Sequence, residues 1–585
     1  MSKNHCVEPY FLGPKSENEY WVRKEIQNIL DHWFQWRKSL FTDDPAAIST
    51  KLIEDPKYLE KQQQISTGLE ELSTLLKSET PKYTPRYIGH MISEVSLPAF
   101  LGHISVLLHN PNNTSYDSSK AGLLIENQAI GFLTDLVGYD KNEVQGHFTS
   151  GGTVANFEAI WRARFRLDHF LSLALYLHSK GHKELDVFSD CTMGWDQFDH
   201  YIKTYSIVPD EIKNYSFAAN NPYKMAELYY KQTGTSYKGP VMLVPGNKHF
   251  SWIKGCNIFG FGESSLWGVP LDVNGRMDVQ ALEDLINKAQ MENRPILMVV
   301  SVTGTTETGE IDPVHEVQDL LDKLKSDRGL HIWHHIDAAY GGFMCSLIRQ
   351  PEIGDQVLTE LQKKSFAAIN RAHSITLDPH KLGYIPYSCG AFLSKDKMSY
   401  SVPDFLAPYL DRPNIKSPWS STIEGSRSAS GAAATWLTAK TFGFTSESFA
   451  KLLSDTFKTC RDFKILIDEQ LPELVYLEPG STNILCFNAK GESLKLSQSN
   501  ELTEALFNQL VSSTQFSVSK TVLHTSNYSL SIQRHLDKYE GIKDDEQMTL
   551  IRCVFMNPFW QNSKLGSHLK SDFVRVIKDI LNESA

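Results

Sequence analysis

The stretch "HIWHHIDAAYGG" (His331–Gly342) is an uncharged run that ends on one carboxylate, Asp337, and then on small residues. It has the length of a strand, and two earlier stretches repeat its character: "VMLVPG" from Val241 and "ILMVVSVTG" from Ile296. From about Thr114 to Lys397 such runs alternate with helical ones. Near-continuous apolar strands between helices mark a sheet covered on both faces, so the fold class expected is α/β with a central, mostly parallel sheet.

Composition narrows the function. With 585 residues, 41% of them hydrophobic, the chain can bury a large core and more than one domain. Lys and Arg number 58 against 69 Asp and Glu, a net charge of -11, and no basic tract is long enough to follow a phosphate backbone. No nucleic-acid partner is expected. The eight cysteines lie far apart without a CxxC pair, and the polar start "MSKNHCVEPYF" carries no apolar signal segment. A reduced, cytoplasmic setting without a metal site is expected. "SLPAFLGHISVLL" (Ser96–Leu108) is too short to span a bilayer and reads as buried core, so no membrane anchor is expected.

Three regions follow. Residues 1–113 form an N-terminal helical segment, in which Trp21, Ile26, Ile29, Leu30 and Phe34 make an apolar stripe that wants a partner, on another subunit or on its own chain. Residues 114–420 form the large α/β domain, ending in a Pro-rich stretch from Val402 to Trp419 that is expected to be mobile. Residues 421–585 form a smaller α+β domain that opens with the Ala-rich helix "SASGAAATWLTAKTF" and continues with "TNILCFNA" and "YSLSIQRH", both read as strands, among helical segments.

Candidate chemistry gathers where strands end. "TSGGTVAN" (Thr149–Asn156) opens a long helical run, and its small residues and helix-start N–H groups suit an anion, most naturally phosphate; a helix cap without a ligand is the alternative. The loop Thr303–Asp312, "TGTTETGEID", follows a strand, where ligand crevices of open α/β sheets lie. Asp337 needs a cation or a strong donor, and Ala338, Ala339, Gly341 and Gly342 leave room for a flat ring; capping a neighbouring turn is the competing role. His249 in "PGNKHFSWIKG" can stack on a planar ring or stand in water. In "TLDPHKLGY" (Thr376–Tyr384), His380 and Lys381 stand side by side. Phosphate loop, ring-sized space, carboxylate and lysine together describe a site for pyridoxal 5'-phosphate. Lys381 then anchors the aldehyde, Asp337 keeps the pyridine nitrogen protonated, and His380 serves the phosphate.

The order of "TSGGTVAN", "HFSWIK", "GTTETGEID", "HIDAAYGG", "DPHKLGY" and "EGSRS" resembles the group II pyridoxal phosphate-dependent amino-acid decarboxylases, of the aspartate-aminotransferase-like fold (fold type I), from about Tyr83 almost to the C-terminus. The resemblance implies that Gly151, Gly152 and Thr153 hold the phosphate with His380, and that Ser426 reaches it from a partner subunit in a homodimer with shared active sites. It implies that His249 stacks on one face of the ring, Ala339 packs on the other, and Thr303 to Thr306 line its edge. Within the family the chain is most similar to the bacterial L-tyrosine decarboxylase branch, through "YTPRYIGHMISEVSLPAFLGHISVLLHNPNN", "LGYIPYSCG", "LAPYLDRP" and "LIRCVFMNPF". That likeness places His90 near the substrate, turns Tyr387 toward the site, makes Tyr409 the proton donor on a lid near residues 400–418, and leaves Arg552 as a contact of the substrate carboxylate or of the structure. The implied reaction is decarboxylation of an L-amino acid, with L-tyrosine to tyramine foremost. Glutamate or another aromatic amino acid, a carbon–carbon lyase of the sphingosine-phosphate type, an aminotransferase and a catalytically silent protein are the alternatives.

Overall fold

A computed structural model describes residues 7–183, 185–396 and 421–584. One sheet contains β1 (Gln145–Thr149), β2 (Val241–Pro245), β3 (Leu266–Val269), β4 (Ile296–Val302), β5 (His334–Ala338), β6 (Ser374–Leu377) and β7 (Gly390–Ser394), in the order β1-β7-β6-β5-β4-β2-β3. Its neighbours from β6 to β3 pair in parallel, whereas β7 is antiparallel to both β6 and β1. All strands but β7 therefore end at the same edge.

The sequence pattern follows from coverage. β2, β4, β5, β6 and β7 are buried at every position, as strands sandwiched between helices must be. Met298, Val300 and Phe392 pack with Ala159, Ala163 and Phe170 of the Gly152–Ser179 helix. On the opposite face, Ile336, Ile375 and Leu393 pack with Leu133 and Leu136 of the Lys120–Val137 helix.

A second sheet is antiparallel, with β8 (Leu474–Tyr476), β9 (Ile484–Ala489), β10 (Ser519–His524) and β11 (Gln547–Val554) in the order β10-β11-β9-β8. The helices Glu447–Gln470 and Ser563–Ser584 bury Phe463, Phe573 and Ile577 against it. "TNILCFNA" is β9, but "YSLSIQRH" is not a strand: it lies in the helix Thr525–Asp537. Tyr528, Ile532 and Leu536 are buried at four-residue spacing while Leu530 is exposed, so the helical period overrides the apparent alternation.

The N-terminal helices Glu19–Ser39 and Pro56–Leu76 lie largely in the open, with Val22 the one buried residue of the first and none in the second. Ser96–Leu108 is half core: Leu97, Ala99 and Leu101 are buried, but Phe100 and Leu107 are exposed. The backbone of Ile88 ties this region to the second sheet through Ser517 and Val554. Among the described residues no helix is long and apolar enough to cross a membrane.

Candidate active site

Segments leaving the carboxyl ends of β1, β2, β4, β5 and β6 enclose a cavity of about 340 Å³, within the range of small-molecule sites. β1 delivers Gly151, Gly152 and Thr153, β2 delivers Asn247 and His249, and β4 delivers Gly304 and Thr306. Asp337, Ala339 and Tyr340 come from β5, and Asp378, His380 and Lys381 from β6. Separated along the chain by as few as 31 residues, from Thr306 to Asp337, or as many as 230, from Gly151 to Lys381, these groups meet because the parallel strands all stop at one edge.

The turn after β1 has no room for a side chain at Gly152. A Cβ on Gly152 would stand 2.8 Å from Asp378 Oδ2 and 3.2 Å from Ala339 Cβ. One on Gly390, paired with Thr149 across the sheet, would stand 2.5 Å from the carbonyl carbon of Gly151. The helix Gly152–Ser179 starts here, with N–H groups that have no acceptor within the helix itself. Glu424 accepts the Ser150 N–H at 3.1 Å beside it.

Asp337 is 4% exposed, and its Oδ2 accepts from Asn156 Nδ2 at 2.9 Å and from Trp252 Nε1 at 3.1 Å. Two donors on one oxygen fix the carboxylate and compensate its burial. Neither Asn156 nor Trp252 was singled out by sequence reasoning. Asn156 had a signal, since it lies one helical turn beyond Gly152 and so faces the same way.

His249 Nδ1 accepts the Ser251 N–H at 3.2 Å, which leaves the ring proton on Nε2. Desolvation lowers its pKa, with Asp337 opposing and Lys381 adding to the shift, so the ring is neutral. Lys381 Nζ lies 3.1 Å from Asp378 Oδ2. Asp378 is a site residue that the sequence reading passed over; its Oδ1 is buried without a partner beneath the glycine turn. His380 Nδ1 lies 2.6 Å from the Cys389 carbonyl and therefore carries a proton. Burial lowers the pKa of His380, so its Nε2 becomes a donor only when the ring takes up a second proton.

Other expected residues stand apart from the lining. Thr303 is fully buried with an unpartnered Oγ1, and its backbone links β4 to β5 through Asp337 and Gly341; Gly304 and Thr306 are the members of that loop that face the cavity. Tyr387 is exposed and packs on the His380 ring with centroids 4.3 Å apart. Ser426, also exposed, accepts from Asn112 Nδ2. Arg552 donates to Ser519 Oγ at 3.0 Å, to the Gly89 and Thr306 carbonyls, and to His90 Nδ1 at 3.1 Å. Those four acceptors make Arg552 a clamp among β10, the Thr306 loop and residues 89–90. His90, deprotonation of which is favoured first by desolvation and then by Arg552, is held as the neutral ring. Tyr409 and the expected lid lie outside the described residues.

The arrangement fits pyridoxal phosphate. The glycine turn makes a cradle that a Cβ on Gly152 would fill, Asp337 offers the cavity a fixed carboxylate for the ring nitrogen, and Lys381 reaches in from a third strand end. Comparisons with known proteins agree. Residues 220–490 match the pyridoxal-dependent decarboxylase conserved domain. The L-tyrosine decarboxylase of Enterococcus faecium is 27% identical over 99% of this chain and 99% of its own. That of Levilactobacillus brevis is 30% identical, covering 77% of this chain and 73% of its own. The crystal structure of Oryza sativa TDC with PLP and tryptamine superposes with a TM-score of 0.64 at 15% identity, covering 98% of this chain and 99% of that one, a likeness of fold. The chain belongs to the pyridoxal-dependent decarboxylase family, with the fold of type I pyridoxal phosphate enzymes, and is a pyridoxal phosphate-dependent carboxy-lyase of amino acids.

Proposed function

We propose that the substrate is L-tyrosine and the products are tyramine and carbon dioxide. The observation that carries this reading is the reach of the likeness to L-tyrosine decarboxylases, which extends over 99% of the chain and so includes the N-terminal and C-terminal segments around His90 and Arg552.

Bound pyridoxal phosphate supplies an electron sink for the bond that breaks at Cα. Lys381 would hold the cofactor's aldehyde in the resting enzyme. Asp337, locked by Asn156 and Trp252, pairs with the protonated ring nitrogen. Neutral His249 would stack on the cofactor ring and Ala339 would pack beside it, since both line the cavity. Gly151, Gly152 and Thr153 receive the phosphate on backbone N–H groups, joined by His380 once its Nε2 is protonated. Thr306 borders the cofactor's edge, whereas Thr303 acts through the β4–β5 backbone link. Tyr387 and neutral His90 form the substrate side, and Arg552 positions His90 and Thr306 rather than binding the substrate carboxylate. Tyr409 returns the proton to Cα.

The working unit in this proposal is a homodimer. The helix Pro56–Leu76 exposes Leu59, Ile65, Leu69, Leu72 and Leu75, apolar side chains that a partner subunit would cover. Ser426 then serves the phosphate of the neighbouring subunit. A cytoplasmic location completes the reading.

The test is product formation from a panel of L-tyrosine, L-glutamate, L-aspartate and L-2,4-diaminobutyrate, with the amines read by mass spectrometry. Tyramine is expected as the principal product. An inert tyrosine beside a consumed glutamate or aspartate would overturn the substrate while leaving the reaction class intact.

A further inference from the structure

A second cavity of about 430 Å³ lies outside the active site, walled by residues 357–365, by the Glu447–Gln470 helix and by residues 479–482. Arg461 and Lys464 stand one helical turn apart on that helix, and Arg276 lines the cavity from another segment. Arg461 donates to the Gln356 and Val357 carbonyls, each at 2.7 Å, and Lys464 Nζ to the Pro479 carbonyl at 2.8 Å. Neutral carbonyls orient these cations without cancelling their charge. Arg276 is matched by Asp272. The nearby carboxyl of Glu310 is buried and hydrogen-bonded to Ser481, and burial pushes its pKa up to about 7. Positive charge in excess on a cavity wall whose described lining includes no carboxylate describes a recognition site for negative charge.

We propose that this cavity binds a small organic polyanion, bearing carboxylate or phosphate groups, through Arg461 and Lys464. Its place in the fold connects it to catalysis. The Glu310 carbonyl accepts the N–H groups of Gly304 and Thr305 at 2.9 and 3.0 Å, while the Glu310 side chain holds Ser481 at the second cavity. Gly304 and Thr306 line the first. An occupant of the second cavity therefore presses on the loop that borders the cofactor.

Calorimetric titration of the holoenzyme with citrate and, separately, with inorganic phosphate tests this. Saturable binding of either probe at one site per chain is expected, and which probe binds identifies the group recognised. The double variant Arg461→Gln, Lys464→Gln should bind at least about tenfold more weakly, the loss of one charge-assisted contact or more. The single variant Lys464→Gln, which leaves both Arg461 hydrogen bonds in place, should weaken binding severalfold and decides the matter should the double variant fail to fold. Absence of saturable binding by both probes, or undiminished binding in the variants, would overturn the proposal.

Discussion

Asp337 draws its reliability from residues that touch no ligand. Asn156 and Trp252 donate to the same oxygen, so removing one leaves a buried carboxylate less fixed and less well compensated. Hydrogen bonds to charged groups contribute about 1.5–3 kcal/mol, so Asn156→Ala should weaken cofactor binding by about tenfold or more, read by titrating apoenzyme with pyridoxal phosphate. Unchanged affinity would mean that Trp252 alone suffices. This is also the scale at which the sequence was least legible. Asp337 and Lys381 announce themselves, one as a charge at the end of an apolar strand and the other beside a turn, but Trp252 lies 85 residues from the carboxylate that it serves. Asp378, adjacent to the motif residues His380 and Lys381, reads as part of a turn until the fold brings it beneath Gly152. Thr303 errs in the other direction: a hydroxyl in a polar loop looks available, and the structure buries it.

Elements explain what single residues cannot. β7 lies against the glycine turn so closely that Gly390→Ala would drive a Cβ to 2.5 Å from the backbone of Gly151. Overpacking of this kind costs about 1–3 kcal/mol, and the expected result is a melting temperature lowered by several degrees together with loss of cofactor binding. A second element-level contact ties the N-terminus to the body: Glu94 Oε1 accepts the Gly13 N–H at 3.0 Å, and desolvation raises the carboxyl pKa to about 7. A raised carboxyl pKa favours the folded state while the group stays protonated, and that contribution is lost as pH climbs from the unfolded pKa near 4.5 through 7. Glu94→Gln, which keeps the acceptor and cannot ionise, should therefore gain stability relative to wild type between pH 5 and pH 8, by on the order of 3 kcal/mol. A difference that stays flat over that range would show that Glu94 does not titrate there. The strands themselves were legible because burial on both faces leaves uninterrupted apolar runs. "YSLSIQRH" was not, since in eight residues an alternating pattern and a four-residue spacing share the same apolar positions until the helix around them is seen.

At the scale of the molecule, the exposed faces of the two N-terminal helices and the exposure of Ser426 outside the cavity lining underlie the proposed homodimer. If a partner subunit covers Leu69 and Leu72, then Leu69→Glu combined with Leu72→Glu should convert a dimer to a monomer in size-exclusion chromatography with light scattering, and activity should fall with it. A monomeric wild type with full activity would contradict the homodimer. The central claim concerns one lysine, and borohydride offers the most direct measurement of it. Reduction of the holoenzyme fixes the cofactor to the amine that holds it, and proteolysis with mass spectrometry locates the pyridoxyl group. The account predicts that group on Lys381 alone, with none retained by Lys381→Ala; a label on any other lysine, or none on an active enzyme, would contradict it.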